Sequence, residues 1–254
     1  MFSKNLILAA VLLIEATNAL PALSVAAAAK FVPRVAKADV PIHIISARGT
    51  NEMPGPGNIG NTISNMMKAQ TTRDIVLRPV NYPASYLNGM DYTNSVIAGV
   101  ADLTKQIKRV VKFHPRRPIV ILGYSQGAQV VGNTLCGWGN EGAANYVAPL
   151  DPELASHIVS AIWAGDPAHV ASQPFVVGNG TVTGVNPRQW NIDCSANNLT
   201  NVITSYCIGG DPYCDSGSNM DAHHSYMATY GQTAAATVLG QVFGNTTTTE
   251  PTTS

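Results

Sequence analysis

The sequence is poor in charged residues, which make up only 12% of its 254 positions. Soluble domains typically carry about 25% charged residues, so this surface must be polar mainly through uncharged side chains. Fifteen basic and fifteen acidic residues cancel to a formal net charge of zero. Without an excess of positive charge the chain has little to attract a phosphate backbone, and we therefore expect no nucleic-acid partner.

The amino-terminal region lacks an apolar run of the ~20 residues that a bilayer-spanning helix needs. Its longest apolar run covers residues 6–14. Lys4 before that run, and the small residues that lead to Ala19, are typical of a secretory signal peptide. We therefore predict a signal peptide over residues 1–19, a secreted extracellular protein, and no stable membrane association.

Composition divides the remaining chain into three parts. Residues 20–39 are rich in Ala and suggest a pro-segment or a flexible arm. Residues 244–254 are mostly Thr, a composition that cannot form a core and is typical of a linker or an O-glycosylated stalk. The segment between them, residues 40–243, has the length of one α/β domain that folds without metal, cofactor or partner. We expect a monomer.

The four cysteines lack the C-x-x-C spacing typical of zinc sites, which makes zinc the weaker alternative. In an exported chain an even number of cysteines predicts disulfides. Cys207 and Cys214 lie close enough in sequence to close a short loop around Asp211, which leaves Cys136 to pair with Cys194. Glycosylation is predicted, where exposed, at three sequons: Asn179, Asn198 and Asn245.

Strand and helix patterns alternate through the middle of the chain. The strand candidates are residues 41–47, 74–80, 118–122, 156–163 and 202–208. The helix candidates are residues 58–70, 91–113, 126–135 and 225–243, the second of which has apolar residues spaced three and four apart. This alternation predicts a parallel sheet covered on both faces. The strand at 118–122 is the most hydrophobic, which favours a central position.

The strongest chemical motif is Gly123-Tyr-Ser125-Gln-Gly127, which stands between the strand at 118–122 and the helix at 126–135. This is the context of a nucleophile elbow, a turn so tight that the positions two before and two after the serine must lack bulk. The turn exposes the Ser125 hydroxyl and places the Gln126 N–H at a helix start, where an oxyanion is stabilised. We predict Ser125 as a nucleophile.

A serine nucleophile needs a base and an orienting acid, which elbow enzymes place in the chain order Ser, Asp, His. His223 and His224 lie in a late polar segment before the final helix, and adjacency alone does not choose between them. Among the carboxylates, Asp211 leads because it follows a strand and lies inside the predicted cystine loop. Asp166, at another strand end, is the reserve candidate.

A second oxyanion donor is expected from the loop that follows the first strand. That loop reads Ala47-Arg-Gly-Thr-Asn-Glu52, in which Thr50 offers both an N–H and a hydroxyl. The sequence thus predicts Thr50 and Gln126 as the two donors.

Four blocks together resemble those of the cutinase family, which includes cutinases and the related acetylxylan esterases. They are Ala47-Arg-Gly-Thr-Asn-Glu52, Gly123-Tyr-Ser-Gln-Gly-Ala128, Cys207-Ile-Gly-Gly-Asp-Pro-Tyr-Cys214 and His223-His-Ser-Tyr226. The resemblance implies a small α/β-hydrolase with a five-stranded parallel sheet flanked by helices and no large lid. It also implies Ser125, Asp211 and His223 as the triad, because His223 fits a His-x-x-Tyr pattern with Tyr226.

The sequence departs from the family in lacking a cysteine just before the first strand. Many members pair that cysteine with one after the elbow helix, so the partner of Cys136 stays open, with Cys194 the only remaining candidate.

The segment between Asp211 and His223 is polar, whereas the corresponding segment of cutinases tends to be apolar. The expected activity is therefore removal of acetyl groups from xylan through an acyl-enzyme, on a polysaccharide substrate. The alternatives are a cutinase acting on polyester, a general short-chain carboxylesterase, or a non-catalytic secreted binding protein on the same scaffold. A purely structural secreted glycoprotein is suggested only by the Thr-rich tail.

Overall fold

The computed structural model describes residues 40–86, 90–143, 145–188, 194–197 and 199–244. The predicted signal peptide (1–19), the arm (20–39) and residues 245–254 of the tail lie outside the described residues, as do the sequons at Asn198 and Asn245. Asn179 is described and exposed.

The domain is built on one parallel sheet. Its strands are β1 (Ile42–Ala47), β2 (Ile75–Pro79), β3 (Ile119–Tyr124), β4 (Ile158–Ala164), β5 (Val176–Val177) and β6 (Ile203–Tyr206). They lie in the order β2-β1-β3-β4-β6-β5, so the most hydrophobic strand, β3, is internal as predicted.

The expectation of five strands needs one correction. β5 adds a sixth at the edge, where Val176 pairs with Ser205 and Val177 with Tyr206 of β6. A strand of two residues is too short to leave an alternating pattern, which is why the sequence did not predict it.

Helices cover both faces of the sheet. They are α1 (Gly57–Lys68), α2 (Met90–Phe113), α3 (Gln126–Cys136), α4 (Pro152–Ala155), α5 (Met220–His224) and α6 (Tyr226–Phe243). α1 and α6 pack against one face and α2 and α3 against the other. All helix candidates are confirmed within a few residues, whereas the short helices α4 and α5 were not predicted.

Alternate residues of the internal strands supply the two cores. Ile45 of β1 and Ile121 of β3 lie in the core under α2 and α3, whereas Ile44 and Leu122 lie in the core under α1 and α6. The apolar positions of α2 that the spacing predicted, from Val96 to Val110, are buried. Because a parallel sheet brings the carboxyl ends of its strands to one edge, the loops after β1, β3, β4 and β6 converge there.

Candidate active site

Ser125 occupies the sharp turn between β3 and α3. Its backbone has φ 54° and ψ −119°, in a region that residues with a side chain rarely adopt. Gly123 and Gly127 permit this turn, since a Cβ on Gly127 would overlap the carbonyl oxygen of Ala47 and one on Gly123 would lie 2.5 Å from that of Gly127. The bend therefore presents the Ser125 hydroxyl at the carboxyl edge of the sheet, as the motif predicted.

His223 lies beside this serine. Its Nε2 is 3.0 Å from the Ser125 Oγ, and its Nδ1 is 2.8 Å from the Asp211 Oδ2. Asn219 caps the short helix α5 by accepting hydrogen bonds from the N–H groups of Asp221 and Ala222. The adjacent His224 is exposed and bonds to neither Ser125 nor Asp211, so geometry separates the two histidines that sequence position left together.

Tyrosine rings hold the His223 imidazole on two sides. The ring of Tyr124 stacks at 5.2 Å between centroids, and the ring of Tyr213 lies at 4.5 Å. The Tyr124 hydroxyl also donates to the carbonyl oxygen of His223 at 2.9 Å. The imidazole orientation is thus fixed by packing as well as by hydrogen bonds.

Asp211 is fully buried and receives four hydrogen bonds. Oδ1 accepts from the N–H groups of Tyr213 and Cys214 at 2.7 and 3.2 Å. Oδ2 accepts from His223 and, at 2.7 Å, from the Tyr226 hydroxyl. Burial alone would raise the pKa of Asp211, but the bond and charge of His223 and the bonds from Tyr226 and Tyr213 outweigh it, so the pKa is held below its usual value.

Two other carboxylates, those of Asp166 and Asp215, bind to loop residues rather than to the histidine. Asp166, the reserve candidate, forms a buried ion pair of 2.7 Å with Arg188 and bonds to neither His223 nor Ser125. Asp215 accepts from the N–H groups of Thr181 and Val182, both at 2.7 Å. Their contacts are those of structural residues.

Both predicted oxyanion donors lie at the serine. The Gln126 N–H is the first of helix α3, where backbone donors have no partner within the helix. Its side chain is locked, because Oε1 accepts from the Ser95 hydroxyl at 2.7 Å and Nε2 donates to the Ser85 carbonyl at 2.8 Å. Nε2 also reaches the Thr50 Oγ1 at 3.3 Å, which ties the loop after β1 to the elbow.

The loop after β1 is fastened by residues that the sequence did not single out. The buried Arg48 donates to the carbonyl oxygens of Glu52, Tyr82 and Pro83. The Glu52 carboxylate accepts from the N–H groups of Gly49 and Asn58 at 2.5 and 2.7 Å. An arginine and a glutamate inside the recognised block were the available signal, but two of the carbonyl acceptors of Arg48, those of Tyr82 and Pro83, are distant in sequence.

A cleft of about 650 Å³ opens above Ser125 and His223. Tyrosine, asparagine and glutamate side chains form much of its wall, together with a few apolar residues. Its lining includes Asn51, Tyr86, Tyr92, Val185, Asn186 and Met220.

Both predicted disulfides are present, Cys136–Cys194 and Cys207–Cys214. The zinc alternative is therefore wrong, because all four thiols are consumed. Cys136–Cys194 ties the end of α3 to the segment before β6, and Cys207–Cys214 closes the loop that carries Asp211.

A serine in a strand–turn–helix bend, bonded to a late histidine and through it to an aspartate, on an open parallel sheet, defines the α/β-hydrolase class of fold. Comparison with known proteins narrows this class. A profile of the family described as Cutinase matches residues 39–242.

Curated relatives and solved structures agree. The chain is 33% identical to an acetylxylan esterase of Hypocrea jecorina, over 79% of this chain and 67% of that protein. It is 31% identical to cutinase 11 of Verticillium dahliae, over 79% and 68%. It superposes on the catalytic core domain of an acetylxylan esterase from Trichoderma reesei with a TM-score of 0.70 and 33% identity, covering 79% of this chain and 98% of that one.

The chain belongs to the cutinase family. Its activity is accordingly that of a carboxylic ester hydrolase. No helix among the described residues is long and apolar enough to span a membrane.

Proposed function

We propose that the chain is a secreted serine esterase that removes acetyl groups from xylan, with Ser125 as nucleophile, His223 as general base and Asp211 as its orienting acid. The observation that carries the proposal is the continuous hydrogen-bonded chain from Ser125 Oγ through His223 to Asp211, with heavy-atom distances of 3.0 and 2.8 Å, at the floor of the cleft. Two disulfides fit an oxidising compartment and support secretion.

In the first half of the reaction the Ser125 oxygen attacks the acetyl carbonyl carbon while its proton passes to His223 Nε2. The ionised Asp211 keeps the other ring proton on Nδ1, so that Nε2 is free to accept, and it stabilises the imidazolium that forms. The tetrahedral oxyanion is held by donors at Thr50 and Gln126; loss of one such donor typically costs ~10²–10³ in rate.

Collapse of this intermediate breaks the bond to the sugar oxygen, which leaves as an alcohol with the proton from His223. The acetyl group then remains on Ser125. A water molecule gives its proton to His223 and attacks the acyl carbon, and release of acetate returns the proton to the serine.

The cleft wall supports a carbohydrate substrate. Tyr86 offers an exposed ring face together with a hydroxyl, a combination suited to the CH faces and hydroxyl groups of a sugar. The Tyr92 ring lies beside it, with centroids 5.9 Å apart, while the Tyr92 hydroxyl donates to Gln129 Oε1. Asn51 and Asn186 add amide donors and acceptors, which fix orientation in such clefts. The polar stretch expected from sequence leads directly to Met220, which lines the cleft.

A polyester substrate is the second candidate, because exposed apolar side chains also stand at the cleft. Val185 and Met220 are 57% and 42% exposed, and both line it. Such residues suit contact with a waxy surface. The 31% identity to cutinase 11 also supports this alternative.

The two candidates are separated by a substrate series. Acetate release from acetylxylan is expected to be fast. Cleavage of p-nitrophenyl acetate is expected to be about 10²-fold faster than that of p-nitrophenyl palmitate, because the long acyl chain needs apolar contacts that a polar cleft does not supply. Met220→Gln is expected to leave acetate release unchanged. Faster cleavage of long-chain and cutin-like esters, reduced by Met220→Gln, with no acetate from xylan, would assign the protein to polyester instead.

The Tyr226 hydroxyl predicts a pH effect. Burial raises the pKa of this tyrosine, so it remains a donor to Asp211. Tyr226→Phe removes one of the bonds that keep the pKa of Asp211 low, so that carboxylate takes up a proton at a higher pH. We expect kcat to fall about tenfold at neutral pH, and the loss of activity on acidification to occur at higher pH, as measured in a pH–kcat profile.

Tyr230→Phe is the matched control for Tyr226→Phe, since it removes a hydroxyl from the same helix but from a ring that stacks on Tyr206 rather than bonding to Asp211. If Tyr226→Phe lowers the melting temperature but leaves the acid limb of the pH–kcat profile unshifted, the contact between Tyr226 and Asp211 has a structural role only.

A further inference from the structure

A second cavity, of about 350 Å³, lies on the side of the sheet that α2 covers, near the amino ends of β1 and β3. Ser125, by contrast, follows the carboxyl end of β3. The polar residues that line the cavity are His43, Arg78, Gln106, Arg109, His114 and Arg117. None of these residues takes part in the proposed mechanism.

The cavity concentrates positive charge in a chain whose net charge is zero. It has three guanidinium groups and no acidic residue in its lining. Within the described residues, Arg78, Arg109 and Arg117 form no ion pair. The neighbouring carboxylate of Asp102 is engaged elsewhere, by Gln106 Nε2 at 2.7 Å and the Asn81 N–H at 2.8 Å.

A buried imidazole borders the same space. His43 is only 7% exposed, and its Nδ1 has no hydrogen-bond partner in the structure. Unpaired buried polar atoms are uncommon because they forgo hydrogen bonds that water would supply. Burial, followed by the charges of Arg117, Arg78 and His114, lowers the pKa of His43 to about 4, so the imidazole is neutral and the surrounding cations disfavour a further positive charge.

We propose that this cavity binds a small organic oxyanion, a carboxylate or phosphate attached to a body the size of one sugar ring. The planar guanidinium groups match the paired oxygens of such an anion. The His43 imidazole and the Gln106 side chain lie at the wall beside the anion. The volume is in the range of small-molecule sites. The proposal does not rest on the esterase assignment.

Binding is tested on the whole protein at low ionic strength, where screening is weak. The probes are D-glucuronate and D-glucose 6-phosphate, with D-glucose as the neutral ligand of matched size. Calorimetry is expected to give saturable binding of either anion with Kd of about 1 mM or tighter, and none of glucose. NMR of the imidazoles is expected to show a raised pKa of His43 in the complex. Binding of only one probe identifies the anionic group as carboxylate or phosphate.

Two variants of equal charge change locate the site. Arg117→Gln is expected to weaken binding about tenfold through loss of a charged hydrogen bond. Lys108→Gln, an exposed residue of α2 that does not line the cavity, is expected to bind normally. Three results would each overturn the proposal: equal weakening of anion binding in both variants, binding of glucose as tight as that of the anions, or an unchanged pKa of His43. Both variants are expected to cleave p-nitrophenyl acetate at the wild-type rate, so this result is independent of the hydrolase assignment.

Discussion

Ser125→Ala is expected to reduce ester hydrolysis by about 10⁵–10⁶-fold, the loss seen when a nucleophile of this kind is removed. The physical reason is that no other hydroxyl stands 3.0 Å from His223 Nε2 among the described contacts. Turnover of p-nitrophenyl acetate at saturating substrate measures the loss. Because alanine keeps the same backbone restrictions as serine, the thermal unfolding midpoint is expected to change little.

Ser172→Ala is the matched control, because this serine is exposed and lies outside the cleft. A serine-directed phosphonate is expected to label the wild type and Ser172→Ala, and to leave Ser125→Ala unlabelled. Failure to label the wild type, with no ester hydrolysis, would support a non-catalytic binding protein on this scaffold. Substantial activity in Ser125→Ala would point to a different nucleophile.

Asp211→Asn is expected to lower kcat by about 10⁴-fold at neutral pH. The aspartate accepts from both His223 Nδ1 and the Tyr226 hydroxyl through one oxygen. An amide in that place presents a donor or a neutral acceptor, so the imidazole loses its required tautomer and the imidazolium loses its counter-charge. The pre-steady-state acylation rate measures the effect directly.

Two carboxylates serve as controls for Asp211→Asn. Asp221→Asn alters an exposed residue two positions before His223 and is expected to leave kcat unchanged. Asp166→Asn breaks the buried pair with Arg188 and is expected to cost about 3–5 kcal/mol of unfolding free energy while the folded protein keeps its activity. A 10⁴-fold loss of kcat in Asp166→Asn with unchanged stability would instead assign the orienting role to Asp166 and a structural role to Asp211.

Much of the fold was predictable because its elements carry strong local patterns. The run at 118–122 is apolar throughout and became an internal strand, and the spacing of apolar residues over 91–113 became helix α2. The elbow was predictable for the same reason, since a strand, two glycines and a helix are all local features. The Cys207–Cys214 bridge was predictable from its short spacing, and it left Cys194 as the only candidate partner of Cys136.

What the sequence could not supply depends on contacts between distant segments. Chain position left His223 and His224 equivalent, and His223 was favoured only through the family resemblance, by its His-x-x-Tyr pattern. In the structure the direction of α5 turns His223 toward Ser125. The Tyr124 and Tyr213 rings that pack against the imidazole come from separate segments, the end of β3 and the loop before α5. β5 is held by pairing with β6 rather than by its own two residues. The cavity at His43 likewise joins β1, β2 and α2.

The covalent ring from Cys207 to Cys214 has a consequence for how the catalyst matures. The core of the domain is built from the sheet and its covering helices, whereas the loop that carries Asp211 is closed by a bond between two cysteine sulfurs. In a compartment where glutathione keeps thiols reduced, the chain would fold before it could become active. Oxidation of the two thiols would then be the step that closes the loop of the proposed acid, Asp211.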